Sequence, residues 1–186
     1  MKMDIILRAK EFAKKKHGDI KRKYTPEPYY SHPFAVAARL KAFDKYKNND
    51  AVLAAAYLHD ILEDTLTTYE ELLEKFNTKI ADLVQELTSN KEYYNDTNED
   101  MEPSKPSAKA QYLTDKINNM SKDARIIKLA DREHNVSQIA DAPNTFIKRY
   151  TKETQYILEH LHFEPNKEEQ DLINSIWEKI RPFLTQ

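Results

Sequence analysis

Glycine is almost absent from this chain, because Gly18 is the only one among 186 residues. The segments between polar and proline-containing breaks are rich in Ala, Leu, Lys, Glu and Ile, and their apolar residues recur three and four positions apart. Since glycine-poor segments with this spacing form amphipathic helices, the sequence predicts an all-α fold. The predicted helices cover residues 3–16, 33–46, 50–62, 68–75, 78–89, 109–119, 123–140, 144–162 and 167–184.

These helices are predicted to form one bundle of about eight to ten helices that spans residues 1–186. A chain of this length corresponds to one domain and can bury a substantial core. Residues 90–108 interrupt the helical pattern because they are polar and carry two prolines, which predicts a long loop. Such loops are either lids or surface excursions, and the sequence leaves both open.

Charge and hydropathy exclude several classes of function. The net charge of −2 gives little support for binding to nucleic acid, although residues 14–23 form a local basic run. No apolar stretch approaches the length of a membrane span, and the first residues lack the apolar core of a secretory signal. Cysteine is absent, which excludes thiolate metal ligands. We therefore expect a cytoplasmic protein that binds neither nucleic acid nor membranes.

Four residues of metal-ligand type lie beside apolar segments. His59 and Asp60 follow the apolar run 51–58 directly. His32 lies before a proline at the start of another apolar segment, and Asp131 follows a third. An isolated His-Asp pair is more often a structural hydrogen-bonded pair, but four such residues would be costly to bury without a shared cation. This set of nitrogen and oxygen ligands favours a divalent ion such as manganese, iron or zinc.

Longer motifs add a family resemblance to this pattern. They are His17-Gly-Asp-Ile-Lys-Arg22-Lys23-Tyr, Pro28-Tyr-Tyr-Ser-His32-Pro, Leu58-His59-Asp60-Ile-Leu-Glu63-Asp64-Thr65 and Lys128-Leu-Ala-Asp131-Arg-Glu-His-Asn135. Over residues 5–160 the chain resembles the hydrolase domain of RelA/SpoT homologues. These HD-superfamily enzymes use manganese to remove the 3′-pyrophosphate from the alarmones ppGpp and pppGpp. The resemblance implies a stand-alone small alarmone hydrolase with an HD-type bundle, because the chain has no room for the synthetase domain of longer members.

The chemistry of phosphoester hydrolysis suggests roles for the candidate residues. One divalent ion can neutralise charge on the phosphoryl oxygens and activate the attacking water. We assign the four ligand candidates to a single Mn²⁺ ion, as the resemblance implies. Glu63 and Asp64 are predicted catalytic residues that orient or deprotonate the water or protonate the leaving oxygen. Ordinary acidity at a helix end is the alternative role for both.

Five residues are candidates for binding the nucleotide substrate. Arg22 and Lys23 match the basic pair that meets the nucleotide in the family, where a guanidinium can stack on a base or bind phosphate. Asn135 follows Asp131 by four residues and shares its helix face, so it is predicted to bond the ribose or the water. Lys152 and Tyr156 could add a phosphate contact and a ring contact, or could simply pack within their helix.

Other features leave the substrate and the partners open. The family often has a basic residue after the asparagine, whereas this chain continues with Val136-Ser137-Gln138. The alternatives are therefore an HD-type phosphohydrolase acting on another phosphorylated nucleotide such as (p)ppApp or a phosphorylated dinucleotide, and a non-catalytic nucleotide-binding module. The amphipathic stripe around Trp177 indicates core packing or a possible homodimer. His134 lies near Asp131 in sequence but at a different helix angle, and we assign it no role.

Overall fold

The computed structural model describes residues 4–90 and 106–184. Their helices are α1 (Ile5–His17), α2 (Ser31–Lys41), α3 (Asp50–Leu58), α4 (Ile61–Asp64), α5 (Tyr69–Lys75), α6 (Thr78–Leu87), α7 (Ala108–Asn119), α8 (Lys122–Ser137), α9 (Asn144–Glu159) and α10 (Lys167–Leu184). A short 3-10 helix covers Ile139–Asp141. Within these residues the only β pairing is an isolated bridge between Lys21 and Pro28. The predicted all-α fold is confirmed.

Short polar side chains set where many of the helices begin. Each accepts a hydrogen bond from a backbone N–H of the first turn, which would otherwise have no partner. The residues that cap a helix in this way are Asp4, Asn49, Thr68, Asn77, Ser107 and Ser121. Because these caps are visible in the sequence, most predicted helix starts agree with the structure. Most of the predicted loop 90–108 lies outside the described residues.

The helix predicted over residues 50–62 is wrong, because the structure divides it at the His-Asp pair. Helix α3 ends at Leu58, His59 is its C-cap, and Asp60 is the N-cap of α4. The backbone N–H groups of Glu63 and Asp64 both donate to the carbonyl of Asp60. Glu63 and Asp64 therefore belong to the separate turn α4. They do not lie on the face of α3 where a continuous helix would place them.

Helix α3 lies at the centre of the bundle. Its residues Val52 to Ala56 and Leu58 are at most 2% exposed, and it packs against α1, α2, α6 and α8. A helix that is apolar on all sides belongs in the interior, and its alanines let neighbouring helices approach closely. Helix α8 in turn contacts α2, α6 and α10. The core thus brings α2, the end of α3 and the middle of α8 together.

Buried ion pairs fix α8 against its neighbours. Arg125 pairs with Glu169 of α10 at 2.8 Å, and Arg132 pairs with Glu153 of α9 at 2.8 Å. Removing one partner of such a pair leaves an uncompensated charge in the core, at a cost of about 3–5 kcal/mol. The pairs therefore fix the rotation of α8 about its own axis relative to α9 and α10. Across the described ranges, no helix has both the length and the apolar character needed to span a membrane.

Candidate metal centre and adjoining cleft

Four predicted ligands meet at one point between α2, α3 and α8. The Nε2 atom of His32 lies 3.2 Å from Nε2 of His59 and 3.1 Å from Oδ1 of Asp131. Oδ2 of Asp60 lies 3.1 Å from Nε2 of His59 and 3.5 Å from Nε2 of His32. Both histidine side chains are 1% exposed, and those of Asp131 and Asp60 are 8% and 15% exposed. The structure therefore brings all four side chains together.

The spacing of these atoms suits a single divalent cation. Ligands that bind one ion at about 2.0–2.2 Å lie about 3.0–3.5 Å from one another. The separations between the imidazole nitrogens and the carboxylate oxygens run from 3.1 to 3.7 Å. His32, His59 and Asp131 alone form a group able to hold an ion, and Oδ2 of Asp60 lies within 3.5 Å of both imidazole nitrogens. The donor set and its geometry fit a divalent metal.

The second ring nitrogen of each histidine also has a partner. Nδ1 of His59 lies 2.9 Å from the carbonyl oxygen of Ala56, to which it donates. Nδ1 of His32 lies 2.8 Å from Nδ1 of His134. Such outer partners fix the orientation of a ligand ring and the nitrogen that carries its proton. Both Nε2 atoms consequently face the centre.

The two aspartates are held in place as well. The hydroxyl of Tyr29 donates to Oδ2 of Asp60 at 2.8 Å. Lys128 approaches Oδ2 of Asp131 at 2.9 Å, and the amide of Asn135 donates to Oδ1 of Asp131 at 2.6 Å. Each carboxylate is thus oriented by at least one side chain that is not itself a ligand. These surrounding side chains therefore preorganise the two carboxylates of the centre.

The two imidazoles of the centre differ in charge, because their pKa values are shifted in opposite directions. Burial by itself lowers the pKa of His59, but the carboxylates of Asp60 and Asp131 raise it to about 10. Burial lowers the pKa of His32 and outweighs the same carboxylates. Burial would raise the pKa of Asp131, but Lys128 and the histidines hold it well below its usual range. A proton on His59 therefore occupies the position that a cation would take.

The predicted catalytic acids line a cavity beside the centre. The cavity has a volume of about 270 Å³, and its wall includes Glu63, Asp64, Asp60 and Asp131. Oε1 of Glu63 accepts a hydrogen bond from the backbone N–H of Ser89 at 2.7 Å, which fixes the carboxylate. The structure therefore brings both acids to the ligand cluster, although they reach it from the separate turn α4.

A second cavity of about 280 Å³ adjoins the first and contains three of the predicted substrate residues. Arg22, Lys23 and Asn135 line it. Asn135 belongs to both cavities: its Oδ1 accepts from Nη2 of Arg22 at 3.0 Å, while its amide donates to Asp131. A hydrogen-bonded chain thus runs from the basic wall of the second cavity to a metal ligand. We refer to this second cavity as the cleft.

Aromatic rings form another wall of the cleft. The rings of Tyr24 and Phe146 have centroids 4.8 Å apart, and Phe146 stacks on Tyr150 at 5.4 Å and 11°. Arg149 and Lys109 also line the cleft. Flat apolar faces beside cationic groups are the combination that binds a base together with its phosphates. The sequence did not predict that residues of the 3-10 helix and of α9 line this wall.

Lys152 and Tyr156 lie away from the cleft. Lys152 is exposed on α9 and lines neither cavity. Tyr156 stacks on His160 with centroids 4.0 Å apart and lines a separate hollow between α7 and α9. The structure does not bring this pair to the other candidate residues. The reason is rotational, since Glu153 and Tyr150 occupy the face of α9 that lines the cleft.

Sequence reasoning missed three residues that support the centre. They are Tyr29, Lys128 and His134. Lys128 and His134 each lie three residues from Asp131, a spacing that places side chains on neighbouring positions of a helix face. Sequence reasoning assigned His134 no role, but its Nδ1 lies 2.8 Å from Nδ1 of His32. Tyr29 lies in the same motif as His32, but its contact with Asp60 depends on the tertiary packing.

The chain is similar to known proteins in sequence and in fold. Residues 9–162 match the HD domain family. The guanosine-3′,5′-bis(diphosphate) 3′-pyrophosphohydrolase of Aquifex aeolicus is 39% identical over 161 residues, which are 82% of this chain and 20% of that protein. The guanosine-3′,5′-bis(diphosphate) 3′-pyrophosphohydrolase MESH1 of Xenopus tropicalis is 35% identical over 137 residues, 73% of this chain and 69% of that protein. The chain spans only about a fifth of the length of the Aquifex relative.

A solved structure has the same fold over nearly the whole chain. It is described as a metazoan orthologue of SpoT that hydrolyses ppGpp and plays a role in starvation responses. The superposition has a TM-score of 0.76 and covers 96% of this chain and 97% of the other, at 22% identity. A structure of lmo0812 from Listeria monocytogenes EGD-e superposes with a TM-score of 0.61, at 20% identity. At such identities the agreement concerns the fold.

Proposed function

Because the chain belongs to the HD-domain family, and within it to the RelA/SpoT-homologue hydrolases, we propose that it hydrolyses the 3′-pyrophosphate of ppGpp and pppGpp. The reaction consumes one water, breaks the bond between the 3′-oxygen and the adjacent phosphorus, and releases pyrophosphate. From ppGpp the other product is GDP. The names of the relatives support this substrate class, and the site supports the chemistry.

The observation that carries the proposal is the convergence of four ligand atoms beside two further carboxylates. His32, His59 and Asp131 lie within bonding reach of one ion, and Asp60 joins them. Glu63 and Asp64 line the same cavity. A structural ion would not need unligated acids next to it, whereas hydrolysis needs groups that move protons.

We propose Mn²⁺ as the bound ion, held by the four side chains. It would supply Lewis acidity toward the phosphoryl oxygens and a lowered pKa for the attacking water. Lys128 keeps Asp131 ionised, and Tyr29 orients Asp60, so both carboxylates present oxygens to the ion. The ligand set, which lacks thiolates, is also compatible with iron or zinc.

Glu63 and Asp64 are proposed to handle the protons of the reaction. The N–H of Ser89 donates to Oε1 of Glu63, and both acids line the cavity beside the ligand cluster. One acid would accept the proton of the attacking water, and the other would protonate the 3′-oxygen as it leaves. Because both acids lie on one short turn, small changes in α4 affect both steps.

The cleft is proposed to bind the nucleoside and its phosphates. The rings of Tyr24, Phe146 and Tyr150 offer flat faces to a guanine base. Arg22 and Lys23 provide positive charge for the phosphates. Asn135 then lies between the nucleotide and the metal centre, consistent with the predicted contact to the ribose or the water.

A test of this proposal uses purified protein with Mn²⁺ and ppGpp, with product analysis by ion-exchange chromatography. We expect GDP and pyrophosphate in equal amounts. Release of orthophosphate, or no turnover with Mn²⁺, zinc, iron and magnesium in parallel, would contradict the proposal. Asp131→Asn provides the matched control, because it preserves the side-chain volume while removing the ligand charge.

Other phosphorylated nucleotides form a second candidate substrate class. Gln138 lines the cleft where the family often has a basic residue nearby. An amide can donate and accept, so it can pair with the edge of adenine as well as with that of guanine. Parallel assays with ppApp and pppApp would separate the classes. The cytoplasmic location, the absence of nucleic-acid partners and the possible homodimer stay predictions of the sequence.

A further inference from the structure

The contact between two histidine rings, His32 and His134, needs an explanation that the proposed reaction does not supply. Their Nδ1 atoms lie 2.8 Å apart, and their rings meet at 42° with centroids 4.9 Å apart. A hydrogen bond between two nitrogens requires that one carry the proton and the other offer a lone pair. The side chain of His32 is 1% exposed, so water does not substitute for this partner.

The position of the other nitrogen of His32 decides which ring donates. Nε2 of His32 faces the centre and lies within 3.5 Å of oxygens from Asp60 and Asp131. A neutral imidazole binds a cation only through the nitrogen that has no hydrogen. If Nε2 is the ligand atom, the single proton of His32 must lie on Nδ1. His134 is then the acceptor.

We propose that His134 is a positioning residue that accepts the Nδ1 hydrogen of His32 and thereby holds its Nε2 lone pair toward the metal. This inference rests on the proposed metal-dependent function and adds a residue to it. His134 itself does not touch the ion or the substrate in this assignment. Its effect is on the affinity for the ion, since it selects the tautomer and the ring orientation of a ligand.

The two histidine ligands are therefore positioned by different means. His59 donates to the backbone carbonyl of Ala56, which no side-chain substitution removes. His32 of α2 instead contacts the side chain of His134, which lies on α8 together with Asp131. The dependence of His32 on His134 can consequently be removed by one substitution without changing any ligand.

The first experiment measures Mn²⁺ binding, with electron paramagnetic resonance of the free ion as the readout. Leucine and asparagine have the same side-chain skeleton, branched at Cγ, but only asparagine places an oxygen acceptor as many bonds from Cα as Nδ1. We expect His134→Leu to weaken Mn²⁺ binding by about 10–100-fold, the usual range for outer-shell partners. His134→Asn should restore the affinity to within about threefold of wild type.

A control substitution removes a histidine elsewhere. His160 is exposed and its Nδ1 contacts the carbonyl of Tyr156, outside the metal centre. His160→Leu should leave Mn²⁺ affinity unchanged. Equal affinity of wild type and His134→Leu overturns the proposal. Equal loss in the Leu and Asn variants also overturns it, because that pattern indicates packing rather than hydrogen bonding.

A second measurement uses the wild-type protein, so it does not depend on whether a variant folds. Nitrogen-15 spectra of the histidine rings in the zinc-loaded protein report which nitrogen of each ring carries hydrogen. We expect hydrogen on Nδ1 of His32 and none on Nδ1 of His134. Hydrogen on Nδ1 of His134 overturns the assignment.

These readouts separate the inference from the proposed function. Wild-type protein that binds Mn²⁺ but leaves ppGpp intact contradicts the alarmone hydrolase and leaves the role of His134 standing. Wild-type protein that hydrolyses ppGpp, with a His134→Leu variant of equal affinity, contradicts only the inference. Failure of the wild type to bind any divalent ion overturns both.

Discussion

The metal centre and the cleft share Asn135 but are built in different ways. Every ligand in the centre has a partner of its own, such as Ala56 for His59 or Tyr29 for Asp60. The cleft instead is lined by side chains that are partly exposed. We therefore expect the proposed chemistry of the centre to depend on strict geometry, whereas the cleft should tolerate changes at a cost in affinity.

The largest effect is expected from removing a ligand charge. Asp131→Asn should weaken Mn²⁺ binding by more than about 100-fold, beyond the range for outer partners, and abolish turnover. The variant also leaves Lys128 buried without its counter-ion, so its fold must be checked by circular dichroism. Binding measured by isothermal titration calorimetry gives the affinity. Activity retained in a folded variant would remove Asp131 from the centre.

A smaller effect should follow from changing an acid that is not a ligand. Glu63→Gln keeps the oxygen that accepts from Ser89, so the turn α4 should persist. We expect kcat to fall by about 10²–10⁴-fold, the usual contribution of a general acid or base, with Mn²⁺ affinity unchanged. Steady-state kinetics with ppGpp provides the test, and Asp64→Asn is its companion. Unchanged kcat in both variants would show that the acids have another role.

The pH dependence of ion binding tests the centre without mutation. Burial lowers the pKa of His59, but Asp60 and Asp131 raise it to about 10, so the ring keeps its extra proton at neutral pH. A cation must displace that proton, and its affinity should therefore fall as the pH falls. We expect about a tenfold weaker affinity per pH unit between about pH 8 and pH 6. Calorimetry in buffers of different ionisation enthalpy would detect the released proton, and a constant affinity would contradict the expectation.

A substitution in the cleft should change mainly KM. Arg22→Ala removes a cationic donor from the wall of the cleft and a hydrogen bond to Asn135. A hydrogen bond to a charged group contributes about 1.5–3 kcal/mol, so KM should rise by about 10-fold or more. We expect kcat to change by less than about threefold, because each ligand keeps its partner. A loss confined to kcat would place Arg22 in the chemistry of the centre instead.

The smallest effect is expected for the pair that lies outside both regions. Lys152 is exposed, and Tyr156 stacks on His160 in a separate hollow. Lys152→Ala and Tyr156→Leu should each change KM by less than about twofold, within the range of surface substitutions. Michaelis–Menten kinetics with ppGpp measures this. A tenfold rise in KM would support the original prediction that this pair binds substrate.

Much of the fold and the centre was predictable from local sequence. Helix starts follow from caps such as Asn49 and Ser121, and the ligands follow from polar residues that end apolar runs. The family resemblance is confirmed by the HD-domain match over residues 9–162 together with the named relatives. The break at His59 was not predicted, because the apolar spacing continues through Ile61 and Leu62 and gives no local signal.

Long-range contacts account for the rest. The bond from Tyr29 to Asp60 and the pairing of His32 with His134 join segments that lie far apart in sequence, so periodicity carries no information about them. The face that α9 presents to the cleft was likewise decided by packing, through Arg132 and Glu153. The positioning residues therefore required the tertiary structure, whereas all four ligand candidates were predicted from the sequence.

The origin of the ligands in three separate helices links ion supply to the lifetime of the protein. Only the folded chain brings His32, His59 and Asp131 within reach of one another, so an ion stabilises the native state and not the unfolded chain. At an ion concentration about a hundred times the Kd, this stabilisation amounts to about 2.7 kcal/mol. Under the proposed function, a cell depleted of the ion would lose the activity at once and then the polypeptide, as the unfolded fraction is degraded by proteases.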